Sequence, residues 1–264
     1  MAEEEEIALA SKIANNDPLN TGFKTYIAKD EGTEKWVISG KDMQVLTTSL
    51  EPGDNIQCEP GSMMFMHPDF VQDADCGCDT CFTRCCAGES CAKVTYTNEG
   101  NSSAYIGLTP YYPAKIIPVD LKTVPGPFVA KSGAYMANLG GADVDYSCNC
   151  FSLECLCCSG LGCCRQELSG DGVAFLAAAG TIVTRELGDG ETIIVDSHSV
   201  VGYDNSITTG VASSGGFCTL CCGGEGCVNS TMTGPGKVYL QSTNFTKMVG
   251  YWRPPSSNNS MEQE

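Results

Sequence analysis

The sequence predicts an all-β protein, an antiparallel β-sandwich or roll of three related units with little helix. Three observations support this prediction. Short runs of β-branched and aromatic residues recur, turn signals separate them about every 8–12 residues, and one cysteine-rich pattern occurs three times. A chain of 264 residues can bury a core without covalent cross-links, so its size does not account for its 18 cysteines.

The pattern Cys-Cys-x-Gly-x-x-Cys occupies Cys85–Cys91, Cys157–Cys163 and Cys221–Cys227. A glycine follows the last cysteine of each pattern by nine residues, at Gly100, Gly172 and Gly236. Another glycine precedes each pattern by 31 or 32 residues, at Gly53, Gly126 and Gly190. Because both landmarks keep their spacing three times, we expect three units at about 37–108, 109–180 and 181–250.

The units define the domain organisation. Residues 1–36 form an acidic N-terminal segment and lead-in, in which EEEEIALASKIA shows weak helical periodicity. Residues 37–250 form a single β domain, with strand and turn signals in stretches such as IGLTPYYPAKIIPVDL, GTIVTRELGDGETIIVD and GPGKVYLQS. Residues 251–264 lack an apolar anchor and are expected to be a disordered tail. Equivalent loops of the units should lie close together at one end of the domain.

The charge balance excludes several classes of partner. A net charge of −17 repels a phosphate backbone, so we expect no nucleic acid partner and no electrostatic docking on anionic lipid. The chain has no apolar run long enough for a membrane helix. Its start, MAEEEEIALASK, is typical of neither a secretory signal nor a mitochondrial presequence, which predicts a cytoplasmic protein with reduced thiols.

Residues 217–242, FCTLCCGGEGCVNSTMTGPGKVYLQS, resemble the closing signature of the altered inheritance of mitochondria family, whose fold is related to the tryptophan RNA-binding attenuator protein. The resemblance covers about residues 37–250 and is most specific at GPGKVYLQS, residues 234–242. It implies a compact fold of two packed sheets, a homo-oligomer that is commonly a trimer, and no established enzymatic activity. It also makes a mitochondrial location the alternative to the cytoplasm. RNA binding is not implied, because the family lacks the attenuator's basic groove.

Cysteine is where this chain departs from the family pattern. Cys86, Cys91, Cys222 and Cys227 stand at places around the glycine turns where relatives mostly carry Leu, Phe or Met. The scaffold therefore does not require thiols there, and a role particular to this branch becomes a hypothesis.

A thiolate metal site is the sharpest form of that hypothesis. Short spacings such as Cys78–Cys81 and Cys218–Cys221 let two thiolates of one turn reach the same ion, and three converging loops would supply more. Soft thiolates suit zinc, copper(I) or an iron–sulfur cluster alike, so the sequence does not identify the metal. The candidate ligands are Cys81, Cys85, Cys86, Cys91, Cys155, Cys157, Cys158, Cys163, Cys218, Cys221, Cys222 and Cys227.

Three other interpretations of the cysteines stay open. Free cysteine is a small hydrophobic residue, so these thiols could simply pack in the interior. Adjacent cysteines at an exposed loop tip are also plausible S-acylation sites, which would attach the protein to a membrane. Disulfides are the remaining interpretation. The packing interpretation is weakened by density, because seven thiols fall within 17 residues from Cys148 to Cys164.

Conventional catalysis finds little support. The only histidines are His67 and His198. On one strand, Asp196, His198 and Ser199 would alternate between faces and could not form a triad, so we expect His198 to be a partly exposed β-turn histidine. No phosphate-binding loop and no small-molecule substrate are identified. We therefore expect a non-enzymatic β scaffold with a metal-binding cysteine cluster. A redox or metal-handling protein and an acylated, membrane-attached scaffold are the alternatives.

Overall fold

The computed structural model describes most of the central part of the chain: Asp17, residues 20–27, 31–75, Arg84, Ser90, residues 92–148, 164–213, 228–243 and Met248. Antiparallel β-strands make up nearly all the regular structure of these residues, which confirms the all-β prediction. A 3-10 helix covers Ser197–Ser199. Within the described residues, no helix has the length and apolar character needed to cross a bilayer.

The strands follow in this order: β1 (Lys24–Tyr26), β2 (Glu31–Gly32), β3 (Trp36–Ser39), β4 (Val45–Leu50), β5 (Asn55–Cys58), β6 (Met63–Met66), β7 (Phe70–Asp75), β8 (Lys93–Asn98), β9 (Ala104–Leu108), β10 (Lys115–Asp120), β11 (Phe128–Ala130), β12 (Tyr135–Leu139), β13 (Ala142–Cys148), β14 (Cys164–Gly170), β15 (Val173–Leu187), β16 (Thr192–Val195), β17 (Val200–Asp204), β18 (Thr208–Ser213), β19 (Val228–Thr233) and β20 (Gly236–Thr243).

The same strand pairing occurs in three consecutive stretches, which we call modules, with strand positions A to F in chain order. The first module is β4 to β9. The second is β10 to β14 followed by the first part of β15, and the third is the second part of β15 followed by β16 to β20. In every module A and C pair with F, whereas B and D pair with E. The modules lie inside the three predicted units, whose outer boundaries stay predictions.

An irregularity in the C–F pairing also recurs. The register shifts between Met63 and Phe65 in the first module, between Tyr135 and Ala137 in the second, and between Val200 and Gly202 in the third. A β-bulge adds one residue to one strand, so Met64, Met136 and Val201 are equivalent positions. The bulge thus aligns the three C strands residue by residue.

Adjacent modules are joined by pairing between strand B of one and strand C of the next. β5 pairs with β12, and β11 pairs with β17. Each junction is extended by one further hydrogen bond: Glu59 N–H donates to Met136 O at 2.9 Å, and Lys131 N–H donates to Val201 O at 3.0 Å. The result is two sheets with the common order D-E-B-C-F-A, each built from two modules and sharing the long strand β15. Strand β1 extends the sheet that contains β20, because it pairs with residues 182–184 of β15.

The corresponding third sheet is divided into two parts. Strands D, E and B of the third module form a separate sheet, β18-β19-β16, and strands C, F and A of the first module form β6-β9-β4, extended by β3 and β2. Strands β16 and β6 are therefore sheet edges in the described chain. They occupy the B and C positions that are paired with each other at both internal junctions.

Each module packs its A–F–C strands against its B–E–D strands, which gives the two packed layers that the family resemblance implies. In the first module Leu46 and Ile106 meet Ile56 and Tyr96, all of them buried. The other two modules have equivalent clusters. Each junction also mixes the clusters: Met136 lies in that of the first module, Val201 in that of the second, and Val129 in that of the third.

Glycine landmarks of the sequence mark tight turns. Gly53, Gly126 and Gly190 follow strand A and have φ values of 86°, 87° and 71°, a region that side chains with a Cβ rarely adopt. Gly172, between E and F of the second module, is required for a different reason. A Cβ there would lie 2.0 Å from Leu139 O and 2.6 Å from the backbone nitrogen of Ala142.

These two constraints predict different costs for alanine. Gly126→Ala should lower the free energy of unfolding by about 1–2 kcal/mol, because the backbone is left-handed but no atom lies within 4 Å of the new methyl group. Gly172→Ala should cost more, because backbone atoms of a neighbouring turn must move. Urea denaturation of the two variants gives the comparison, and equal losses would contradict the close approach at Gly172.

A half-buried lysine at the second junction predicts an unusual pH dependence. Lys131 Nζ donates to Ser197 O at 2.5 Å, and burial lowers the pKa of this amine from 10.5 to about 8, against the opposing effect of Asp196. The unfolded chain keeps the proton up to about pH 10.5, so the free energy of unfolding should rise from about pH 8 to 10.5. Denaturation under reducing conditions should show this rise for the wild type relative to Lys131→Met; parallel curves for both proteins would contradict it.

Candidate functional site

The candidate site is formed by the bases of three D–E hairpins, which enclose the cysteine-rich segments. The last described pairs of these hairpins are Asp75 with Lys93, Cys148 with Cys164, and Ser213 with Val228. Each repeated cysteine pattern therefore connects the same two strand positions of its module. The predicted ligands themselves lie outside the described residues, so their role stays a prediction: Cys81, Cys85, Cys86, Cys91, Cys155, Cys157, Cys158, Cys163, Cys218, Cys221, Cys222 and Cys227.

Arg84 ties the first cysteine-rich segment to the second hairpin. Its side chain is fully buried, and its Nη2 donates to Glu59 Oε1 at 2.7 Å. Its Nη1 donates to the hydroxyl of Tyr146 on β13, and its guanidinium carbon lies 5.2 Å from the centre of the Tyr146 ring. Further hydrogen bonds reach the carbonyl oxygens of Ser90 and Ala92. A single cation thus holds the C-terminal end of the first segment against the base of the second hairpin.

Lys93 makes a second connection between the same hairpins. Its Nζ donates to Val144 O on β13 at 3.2 Å. Burial lowers the pKa of Lys93, while the nearby carboxylates of Asp143 and Asp145 act in the opposite direction. The ammonium group therefore lies between strand β8 of the first hairpin and strand β13 of the second and does not extend into solvent.

The second hairpin in turn contacts the third. Arg165 on β14 donates from Nη2 to Thr209 Oγ1 on β18 at 3.0 Å. Next to it, Gln166 is fully buried, and neither polar atom of its amide has a hydrogen-bond partner within the described part of the chain. The contacts thus run from the first hairpin to the second and from the second to the third.

Cys58 is the one cysteine whose side-chain environment is described. It is buried on strand β5 in the core of the first module, as a free thiol. Burial, with the neighbouring charge of Glu59, raises the pKa of the Cys58 thiol to about 12. A thiol with this pKa stays protonated at neutral pH, which agrees with the packing of Cys58 in the core of the first module.

No set of three or more His, Cys, Asp or Glu side chains is grouped closely enough to hold a metal ion within the described ranges. These ranges leave out the twelve predicted ligands, so the finding concerns only the rest of the chain.

His198 lies in an exposed turn, as expected. Asp196 and His198 do not lie on one strand: they belong to the 3-10 turn Ser197–Ser199, where Asp196 is the N-cap. This turn brings Asp196 Oδ1 to 3.2 Å from His198 Nδ1, closer than alternate residues on one face of an extended strand usually come. Ser199 Oγ donates to Asp196 Oδ2 at 3.3 Å, so the carboxylate serves both groups and no Ser–His relay forms.

A cavity lies at the other end of the sheets from the hairpin bases. It has a volume of about 450 Å³ and is lined by turn residues of two modules, among them Gly53, Gly140 and Gly172. The formal charges of its lining cancel, because it contains two lysines and two aspartates: Lys35, Lys122, Asp54 and Asp171. Because the turn at Gly172 and the cysteine-rich segment are at opposite ends of strand E, the cavity is separate from the candidate site.

Comparison with known proteins agrees with this architecture. Residues 36–243 match the family model described as mitochondrial biogenesis AIM24, and the chain therefore belongs to the AIM24 family. A crystal structure of protein SPYM3_0169 from Streptococcus pyogenes is 22% identical, with a TM-score of 0.67, and the match covers 82% of this chain and 97% of that chain. At this identity the likeness concerns the fold alone. A comparison with curated proteins gave no significant match.

Sequence reasoning missed the buried cluster of Arg84 and Glu59. Its only local signal is an arginine directly before the first cysteine pattern. Nothing in the sequence pairs this residue with a carboxylate 25 positions earlier, because the contact depends on how β5, β8 and β13 are brought together.

The buried ion pair predicts non-additive effects on stability. Arg84→Met should lower the free energy of unfolding by about 3–5 kcal/mol, because it leaves Glu59 buried without its cation. The double variant Arg84→Met/Glu59→Leu should recover much of this loss, since neither charge then remains. A double-mutant cycle by urea denaturation measures the coupling. Additive effects of the two substitutions would show that the pair is not the cause.

Proposed function

We propose that this AIM24-family protein is a non-enzymatic scaffold that presents three cysteine-rich loops side by side, and that these loops bind a soft metal through thiolates. The observation that carries the proposal is the connection between the hairpin bases. Arg84 and Lys93 contact β13, and Arg165 contacts β18. Loops that begin at neighbouring bases can contribute ligands to a shared centre, although they are distant in sequence.

The chemistry of the donor set favours a soft cation. The proposed ligands are all cysteines, and thiolates select zinc, copper(I) or an iron–sulfur cluster over hard cations. The metal's identity is left to measurement.

We further propose that the chain forms a homo-oligomer, a trimer by its family resemblance, located in the cytoplasm. The family description, mitochondrial biogenesis, makes the mitochondrion the alternative location. Fractionation of cells that express the full chain from its own promoter distinguishes the two.

Metal content and thiol chemistry test the proposed function together. Protein purified without oxygen from its own cells should contain stoichiometric metal, and its 18 cysteines should not all titrate until a chelator removes the metal. Elemental analysis, thiol titration and intact mass are measured on the same sample. Eighteen reactive thiols without metal would support packing, and mass increments of acyl chains would support membrane attachment; either result would overturn metal binding.

Matched variants within one segment sharpen this test. Cys157→Ser/Cys158→Ser removes two proposed ligands from the second segment and should release metal. Cys150→Ser removes a cysteine of the same segment that is not among the proposed ligands and should leave the metal content unchanged. If both variants lose metal to the same extent, or neither does, the proposed ligand set is wrong. Far-UV circular dichroism of each variant verifies that the β fold is retained.

A further inference from the structure

We propose that strand β6 of one copy pairs with strand β16 of a second copy, head to tail, in the arrangement that joins the modules within the chain. This inference rests on the proposed self-association and names the surface responsible. It follows from the strand order. At both internal junctions, strand B pairs with strand C of the next module. The C strand of the first module, β6, and the B strand of the third, β16, have no such partner in the described chain and are sheet edges.

These edges carry exposed apolar side chains at positions whose equivalents are buried at the internal junctions. Met64 is 59% exposed, whereas its equivalents Met136 and Val201 are 2% and 0% exposed. Ile194 is 64% exposed, whereas Val129 at the equivalent place on strand B is 4% exposed. The equivalence of Ile194 and Val129 follows from their partners on strand E, which lie five residues before the glycine landmark of each module.

The internal junctions indicate what these exposed residues would contact. Val201 enters the core of the preceding module, and Val129 enters the core of the following one. By the same exchange, Met64 of one copy would pack into the third module of its neighbour, and Ile194 would pack into the neighbour's first module. Two large apolar side chains per contact would leave water, and this burial favours association.

The edges also lack the features that keep solitary strands apart. β6 reads MMFM and β16 reads TIIV, without lysine, proline or any charge. Edge strand β7 at position D carries Asp73 and Asp75, and edge strand β13 carries Asp143 and Asp145. Because unprotected apolar edges promote pairing between chains, the difference indicates that β6 and β16 pair with another copy and that β7 and β13 do not.

The junctions also specify the register. Val129 lies opposite Tyr203 and Ala130 opposite Gly202, and the aligned bulges convert these pairs into Ile194 opposite Met66 and Val195 opposite Phe65. The contact uses different strands on the two copies, so it is heterologous and forms a closed ring when its rotation allows. Three such contacts close the trimer proposed above.

Single substitutions on each edge test the surface. Ile194→Lys and Met64→Lys place a charge in the proposed contact and should weaken association on the order of tenfold or more, giving a mass near the 27.9 kDa of one chain at low protein concentration. Val71→Lys, at a 46% exposed position of edge strand β7, is the matched control and should assemble like the wild type. Light scattering coupled to gel filtration measures the mass, and thermal melting verifies folding.

Mixing the two edge variants tests the head-to-tail geometry. The Ile194→Lys chain keeps an intact β6 and the Met64→Lys chain an intact β16, so an equimolar mixture should form a one-to-one complex of twice 27.9 kDa. A mixture that remains monomeric overturns head-to-tail pairing. If the wild type assembles and both edge variants still do, the surface is wrong but self-association stands. A monomeric wild type overturns both.

Discussion

Backbone pairing between strand B of one module and strand C of the next is the interaction on which the rest of this structure depends. A single module of six short strands would leave a sheet edge on each of its layers. At the junctions β5–β12 and β11–β17, these edge strands pair with each other. The junctions also exchange core residues, so that Met136 and Val129 pack into modules other than their own. The modules therefore share paired strands and core residues and are not independent units joined by linkers.

The junctions also position the candidate site. They set β13 beside β8 and β14 near β18, which allows Lys93 to reach Val144 O and Arg165 to reach Thr209. Burying the Arg84–Glu59 pair there is costly unless both charges are satisfied, and Arg84 is satisfied by a carboxylate, a hydroxyl and two carbonyl oxygens. This fully bonded cation makes the relative placement of the first two hairpins specific, because any shift would leave a buried charge unpaired.

The scaffold and the cysteine chemistry are separable. Cys58 shows that a thiol in this fold can be an ordinary core residue, with a pKa raised to about 12 by its burial. The loops enclosed by the D–E hairpins are under different constraints, because a turn between two strands tolerates many sequences once its ends are fixed. The metal site proposed above would therefore involve only three equivalent loops and would leave the strands of the fold unchanged.

The sequence by itself determined the all-β class, the glycine turns and the connection of each cysteine pattern to two strands, because these depend on neighbours in the chain. The repeated spacing predicted a glycine turn at Gly126, and the structure adds that its backbone is left-handed, with a φ of 87°. Only the tertiary structure decided which strands share a sheet, that Arg84 meets Glu59, that His198 lies in a 3-10 turn, and that β6 and β16 remain edges. Such features arise from pairing between residues far apart in sequence, where many partners are compatible with the local pattern and the packing of the whole domain selects one.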